Sequence, residues 1–118
     1  MDEITDEVMK SRLGLAKAYC MVLLKVGPNY QPPNARSPQQ AKIVWEHGRR
    51  NMQLSAAGKM AIVGPLTGAF PLVGMCICTT SEAETRAIMD DDPAVEAGIF
   101  IYEVAIFYGF PGDGLPPL

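Results

Sequence analysis

The sequence predicts an α+β domain in which a four-stranded antiparallel sheet carries two helices on one face. Three observations predict it. Apolar stretches rich in β-branched and aromatic residues recur at 19–26, 60–63, 73–79 and 99–108, as strands require. Two segments, 38–57 and 82–89, space their apolar residues helically and follow a serine, as capped helices do. The resulting order is strand, helix, strand, strand, helix, strand, the split βαβ arrangement.

Residues 3–17 precede that unit and read as an extra helix. Ile4, Val8, Met9, Leu13 and Ala16 recur at three- and four-residue spacing, with Asp2 or Thr5 as cap and Gly14 as a weak point. This helix is expected to dock on the domain surface or on a partner subunit, or to fray. The first strand, 19–26, is nearly continuous in apolar residues, as when both faces are covered. Gly27 and Pro28 end it. The following loop is rich in Pro and Asn and long enough to act as a lid. Tyr30 is its candidate substrate-binding side chain; the alternative is that Tyr30 tucks against the sheet.

Ser37 caps the next helix, with Pro38 at its first position and Gly58 as a left-handed stop. At ~100° per residue, Ile43, His47 and Leu54 share one face, widened by Val44, Gly48 and Ser55. Ala41, Trp45 and Met52 lie opposite. His47 is therefore expected to point towards the sheet, and the second stripe to meet another helix or another subunit. Strands at 60–63 and 73–79 flank a connection that holds Gly64, Pro65, Gly68 and Pro71. Ser81 and Glu84 read as a capping box for the helix 82–89. Asp92 precedes Pro93, which breaks that helix and opens a one-turn helix ended by Gly98. The last strand, 99–108, carries Glu103 among apolar residues. Glu103 is expected to meet a cation, to sit at an interface, or to face a ligand cavity. The tail, 109–118, has no core pattern.

The composition narrows the function classes. The chain has 118 residues, 48% hydrophobic and 19% charged, with a net charge of −3. That suits one domain with a proper core. It gives no basic stripe for nucleic acid. No apolar run approaches the ~20 residues of a membrane span. The acidic start is unlike a secretory signal, so the cytoplasm is the expected compartment. Cys20, Cys76 and Cys78 form no disulfide framework and read as buried thiols. One histidine and scattered carboxylates form no metal-ligand set. The glycines near Gly64 lack the lysine of a phosphate loop.

These residues, in this order, resemble the YCII-related (YciI-like) domain family of the dimeric α/β barrel group. The resemblance spans roughly 18–108 and rests on His47, Gly58, Gly64-Pro65, Ser81-Glu82-Ala83, Asp92-Pro93-Ala94-Val95, Gly98 and Tyr102-Glu103-Val104. It implies a ferredoxin-like βαββαβ domain that pairs as a homodimeric barrel. It divides the chain into an N-terminal helical extension (1–17), the YCII-like domain (18–108) and an irregular tail (109–118). It also implies a cleft with a His–Asp pair, here His47 and Asp92. The chemistry implied is cofactor-independent: a lyase of the dehydrochlorinase kind, or an isomerase, on a small cyclic or aromatic molecule. The alternative is a non-catalytic dimeric module that binds a small molecule or a protein. His47 suits acid–base work because an imidazole exchanges protons near neutral pH. It equally suits a helix position with one hydrogen-bond partner. Asp92 suits capping of the turn at Pro93, and one carboxylate can cap and meet His47 together.

Overall fold

The computed structural model describes residues 1–117; the last residue of the tail, Leu118, lies outside the described residues. The elements are α1 (Asp6–Leu13), β1 (Lys17–Val26), α2 (Pro38–Ala56), β2 (Met60–Pro65), β3 (Leu72–Cys78), α3 (Glu82–Asp90), α4 (Pro93–Glu96) and β4 (Phe100–Gly109). A short 3-10 turn, Pro33–Ala35, lies in the loop after β1. The sheet order is β2-β3-β1-β4, and every pairing is antiparallel. This is the ferredoxin-like α+β fold the sequence predicts.

Side-chain alternation divides the sheet into two faces. On one, Cys20, Val22 and Leu24 of β1 are buried with Cys76 and Cys78 of β3 and Phe100 of β4. Register keeps them together: Val22 pairs with Cys76 on one side and with Val104 on the other. Ile88 and Met89 of α3 and Ala94 of α4 complete this core, and Ile43, Val44 and Leu54 of α2 pack against it. The Sγ atoms of Cys76 and Cys78 lie 3.6 Å apart in the core. The neighbouring Cys78 thiol and burial both push the Cys76 thiol up, so it stays protonated.

The caps explain where helices begin. Ser37 Oγ accepts from the Gln40 N–H at 3.1 Å, and Ser81 Oγ accepts from the Glu84 N–H at 3.1 Å. Gly58, at φ 77°, turns the chain out of α2. The reciprocal half of the capping box does not form: the Glu84 carboxylate accepts from Lys59 Nζ at 3.2 Å instead.

The N-terminal helix is shorter than expected. It covers Asp6–Leu13 only, capped by Thr5, and buries no residue. Ile4, Val8, Met9 and Leu13 stay exposed. Its tie is to the tail, through Arg12 over the Phe110 ring at 5.3 Å and Arg12 Nη2 3.5 Å from Asp113 Oδ1. It does not dock on the domain core, because its weak apolar stripe offers little area to bury.

Candidate functional site

Two helices and the start of β4 bring the site together. His47 sits mid-way along α2, on the stripe with Ile43, Val44 and Leu54 that faces the sheet. Asp92 is the N-cap of α4. Its Oδ1 accepts from the Ala94 N–H at 2.8 Å and the Val95 N–H at 3.4 Å. Its Oδ2 lies 2.7 Å from His47 Nδ1. The Asp92 side chain is 1% exposed and the His47 side chain 12%. The pair is therefore largely withdrawn from water, with one side of the imidazole still reachable.

An ionised carboxylate only accepts, so Nδ1 carries the proton and donates to Asp92. In the neutral ring this leaves the lone pair on Nε2. The Asn51 amide lies 3.3 Å from Nε2, a long and weak hydrogen bond. The ring also tilts against Phe100, with centroids 5.2 Å apart. The imidazole is thus fixed on three sides.

Burial by itself pushes the Asp92 carboxyl up. The His47 hydrogen bond and charge, with the Ala94 and Val95 N–H groups, outweigh burial and hold it below its ordinary value of 3.8. Arg50 adds positive charge beside it: Nη1 stands 3.8 Å from Asp92 Oδ2, and Nη2 stands 3.7 Å from Asp91 Oδ2. Nη1 is buried and makes no hydrogen bond within the described residues.

A carboxyl held lower in the folded chain than in the unfolded one contributes stability above its unfolded value. That contribution is lost as the pH falls through the folded value. Below about pH 4, acid is therefore expected to weaken the wild-type fold more steeply than the Asp92→Asn variant. Urea unfolding at a series of pH values measures this; parallel losses in the two proteins would contradict it.

A cavity of about 800 Å³ opens beside the pair, and its lining includes His47, Asn51, Phe100, Tyr30, Arg36 and Met52. Most of its remaining wall is apolar, from Val22, Leu24, Val44, Met60, Val63 and Met89 among others. Cavities of that size and apolar character are of the kind that hold small molecules. Tyr30 lies in the lining and tilts against Phe100 with centroids 6.1 Å apart. It is tucked against the sheet face. The loop that carries it is pinned: Gln40, buried at the first turn of α2, accepts from the Gln31 N–H at 2.8 Å and donates to the Asn29 oxygen at 2.9 Å. Of the two arrangements expected for Tyr30, the structure shows the tucked one.

Glu103 meets a cation, one of the arrangements expected of it. It lies on the helix-free face of the sheet, opposite Leu23 of β1, and pairs with Lys25. Phe100, Tyr102 and Val104 take the helix side of β4, so strict alternation sends Glu103 away from the cavity. Ser81 caps α3 and Gly58 turns the chain out of α2; Gly64, expected in a turn, lies instead within β2, paired with Met75 of β3. Among the described residues, no cluster of three or more His, Cys, Asp or Glu side chains could hold a metal ion.

Sequence reading does not single out Arg36, Gln40, Arg50 or Asn51. A signal existed for three of them: Gln40, Arg50 and Asn51 stand seven before, three after and four after His47 on the same helix, which are neighbouring surface positions. Arg36 is brought in by the loop and has no such signal.

The family model of the YCII-related domain matches residues 19–108. No curated protein matches the chain. Among solved structures, the chain is similar to 5-chloro-2-hydroxyhydroquinone dehydrochlorinase from Burkholderia phenoliruptrix AC1100, in complex with 2,5-dihydroxybenzoquinone. That likeness has 15% identity and a TM-score of 0.45, covering 75% of this chain and 90% of the other. It is also similar to methylated RPA0582 protein, at 18% identity and a TM-score of 0.39, covering 94% of this chain and 96% of the other. Among the described residues, no helix is long and apolar enough to cross a membrane.

Proposed function

We propose, on the premise that this chain belongs to the YCII-related domain family, that it is an enzyme in which His47 acts as acid and base, with Asp92 as its orienting partner. The observation that carries this reading is the 2.7 Å contact between His47 Nδ1 and Asp92 Oδ2 beside an apolar cavity. A carboxylate on one ring nitrogen fixes the tautomer and stabilises the imidazolium when the other nitrogen takes a proton.

The reaction needs only proton transfer. Nε2 removes a proton from an acidic C–H or O–H of a small ring compound, and the electron pair of that bond becomes a new π bond. In elimination, a leaving group such as chloride departs with its own bonding pair. In isomerisation, the pair moves to another atom, which takes the proton back from Nε2–H. Both classes are cofactor-independent. Asn51 must release Nε2 as substrate enters, and a 3.3 Å hydrogen bond is easily given up. We assign Tyr30 and Phe100 to the ring-binding wall.

A second copy of the chain completes the assembly in this reading. Tyr19, Met21, Leu23, Met75 and Ile77 share the helix-free face with Ile101 and Phe107, an apolar surface suited to a matching sheet. The domain proper is 18–108, between the N-terminal helix and the tail, and the proposed compartment is the cytoplasm.

Crystals or solutions of the protein with phenol-like and lactone-like ring compounds test the site. A bound ring with an exchangeable proton within hydrogen-bond reach of Nε2 is the expected result. Rings that bind only elsewhere would count against it. One observation favours a second reading, a binding module without turnover: Trp45 is 70% exposed on the outer face of α2. In that case His47→Ala would leave ligand or partner binding intact and remove no activity.

A further inference from the structure

Apart from His47, the cavity has one ionisable basic side chain in its lining, and it is Arg36. No carboxylate lines the cavity. Among the described residues, Arg36 takes part in no ion pair. A guanidinium stays ionised, so this wall carries an uncompensated positive charge.

The charge is also held in place. Arg36 Nε and Nη2 donate to the Gln31 oxygen at 3.2 and 3.0 Å. Its guanidinium carbon stands 5.6 Å from the centroid of the Tyr30 ring. Gln31 is itself fixed, because its Oε1 accepts from the Ser37 N–H at 2.8 Å and its N–H donates to Gln40. Two of the five guanidinium N–H groups are used on Gln31, which leaves three. The loop after β1 thus carries a preorganised cation to a mostly apolar cavity.

We propose that Arg36 makes this site selective for ring compounds bearing an ionised oxygen. The anionic oxygen meets the free N–H groups of Arg36, and the ring lies among Tyr30, Phe100 and the apolar wall. This inference rests on the reading of the cavity as the substrate site. It adds the charge class of the substrate: a carboxylate, phenolate or enolate and not a neutral or cationic ring.

The test compares two nearly isosteric probes, 2-naphthoate and 2-naphthamide. Affinity is read by titration calorimetry, and location by the imidazole C–H resonances of the single histidine. Wild-type protein is expected to bind the naphthoate about tenfold or more tightly than the amide, as a charge-assisted hydrogen bond implies. Both probes are expected to move the His47 signals. Arg36→Gln is expected to remove the preference by weakening naphthoate binding alone, and Arg36→Lys to keep part of it.

Equal affinities in the wild type, with the His47 signals moving, would overturn the charge selection and leave the cavity reading standing. A preference that survives unchanged in Arg36→Gln would overturn the role of Arg36. Failure of both probes to move the His47 signals would overturn the cavity reading and this inference with it. The wild-type comparison needs no folded variant.

Discussion

Replacing Asp92 with asparagine is expected to cost about 3 kcal/mol of stability and about 10²–10⁴-fold in His47-dependent turnover. The substitution is nearly isosteric, and asparagine is itself a good cap. The amide oxygen can still accept from the Ala94 N–H. The difference falls on the other side of the group. There the amide NH2 meets the Nδ1–H of His47, so two donors face each other.

Relief requires His47 to move its proton to Nε2. That leaves no lone pair facing the cavity, and base function stops. Arg50 meanwhile loses the buried negative charge that its guanidinium faces at 3.8 Å. Asp92→Ala adds loss of the cap, about 1 kcal/mol more. Urea unfolding and kinetics on both variants check this. An Asp92→Asn protein as stable and as active as the wild type would show that the pair serves neither the fold nor the chemistry.

The second large effect comes from a glycine outside the cavity lining. Gly27→Ala is expected to destabilise the protein by about 3 kcal/mol or more, in the range of severe backbone clashes. A Cβ at Gly27 would stand against the Gly98 carbonyl oxygen and 2.9 Å from the Ile99 carbonyl carbon. These are backbone atoms, which cannot swing aside. The two segments are drawn together by hydrogen bonds from the Gly27 N–H to the Ile99 oxygen at 2.7 Å and from the Asn29 N–H to the Gly98 oxygen at 2.9 Å. The Asn29 side chain adds a third, to the Ala97 oxygen at 2.9 Å.

This knot joins the loop that carries Tyr30 and Arg36 to the segment just after Asp92, so separation would disturb both walls of the site. Gly58→Ala is the control. Unlike Gly27 it has a positive φ, but nothing lies within 4 Å of its Cβ position, and its cost is about 1–2 kcal/mol of backbone strain alone. Equal costs for the two would contradict the clash.

The sheet and its helices were legible because each element carries a local signal. Ser37, Ser81 and Asp92 announce helix starts, and the apolar runs announce strands. The direction of His47 was legible because it lies on the sheet-facing stripe of its helix; its pairing with Asp92 was implied by the family resemblance. The face of Glu103 was not legible. In β4 the residues at both parities are largely apolar, so nothing local declares which parity faces the helices.

The pinned loop was also hidden. Its order comes from the side-chain amides of Gln31 and Gln40, and polar residues in a Pro-rich stretch read equally well as solvated. The behaviour of α1 depends on an apolar stripe too weak to specify a docking surface.

The measurement that bears most directly on the central claim is turnover by wild type and His47→Ala on a panel of halogenated polyhydroxybenzenes and enolisable cyclic ketones, with stability followed in parallel. The expected result is wild-type turnover of at least one compound, with a loss of about 100-fold or more in a folded His47→Ala protein. Turnover that persists unchanged in His47→Ala, or rings that bind beside His47 in the wild type and are never converted, would contradict an acid–base role for this histidine.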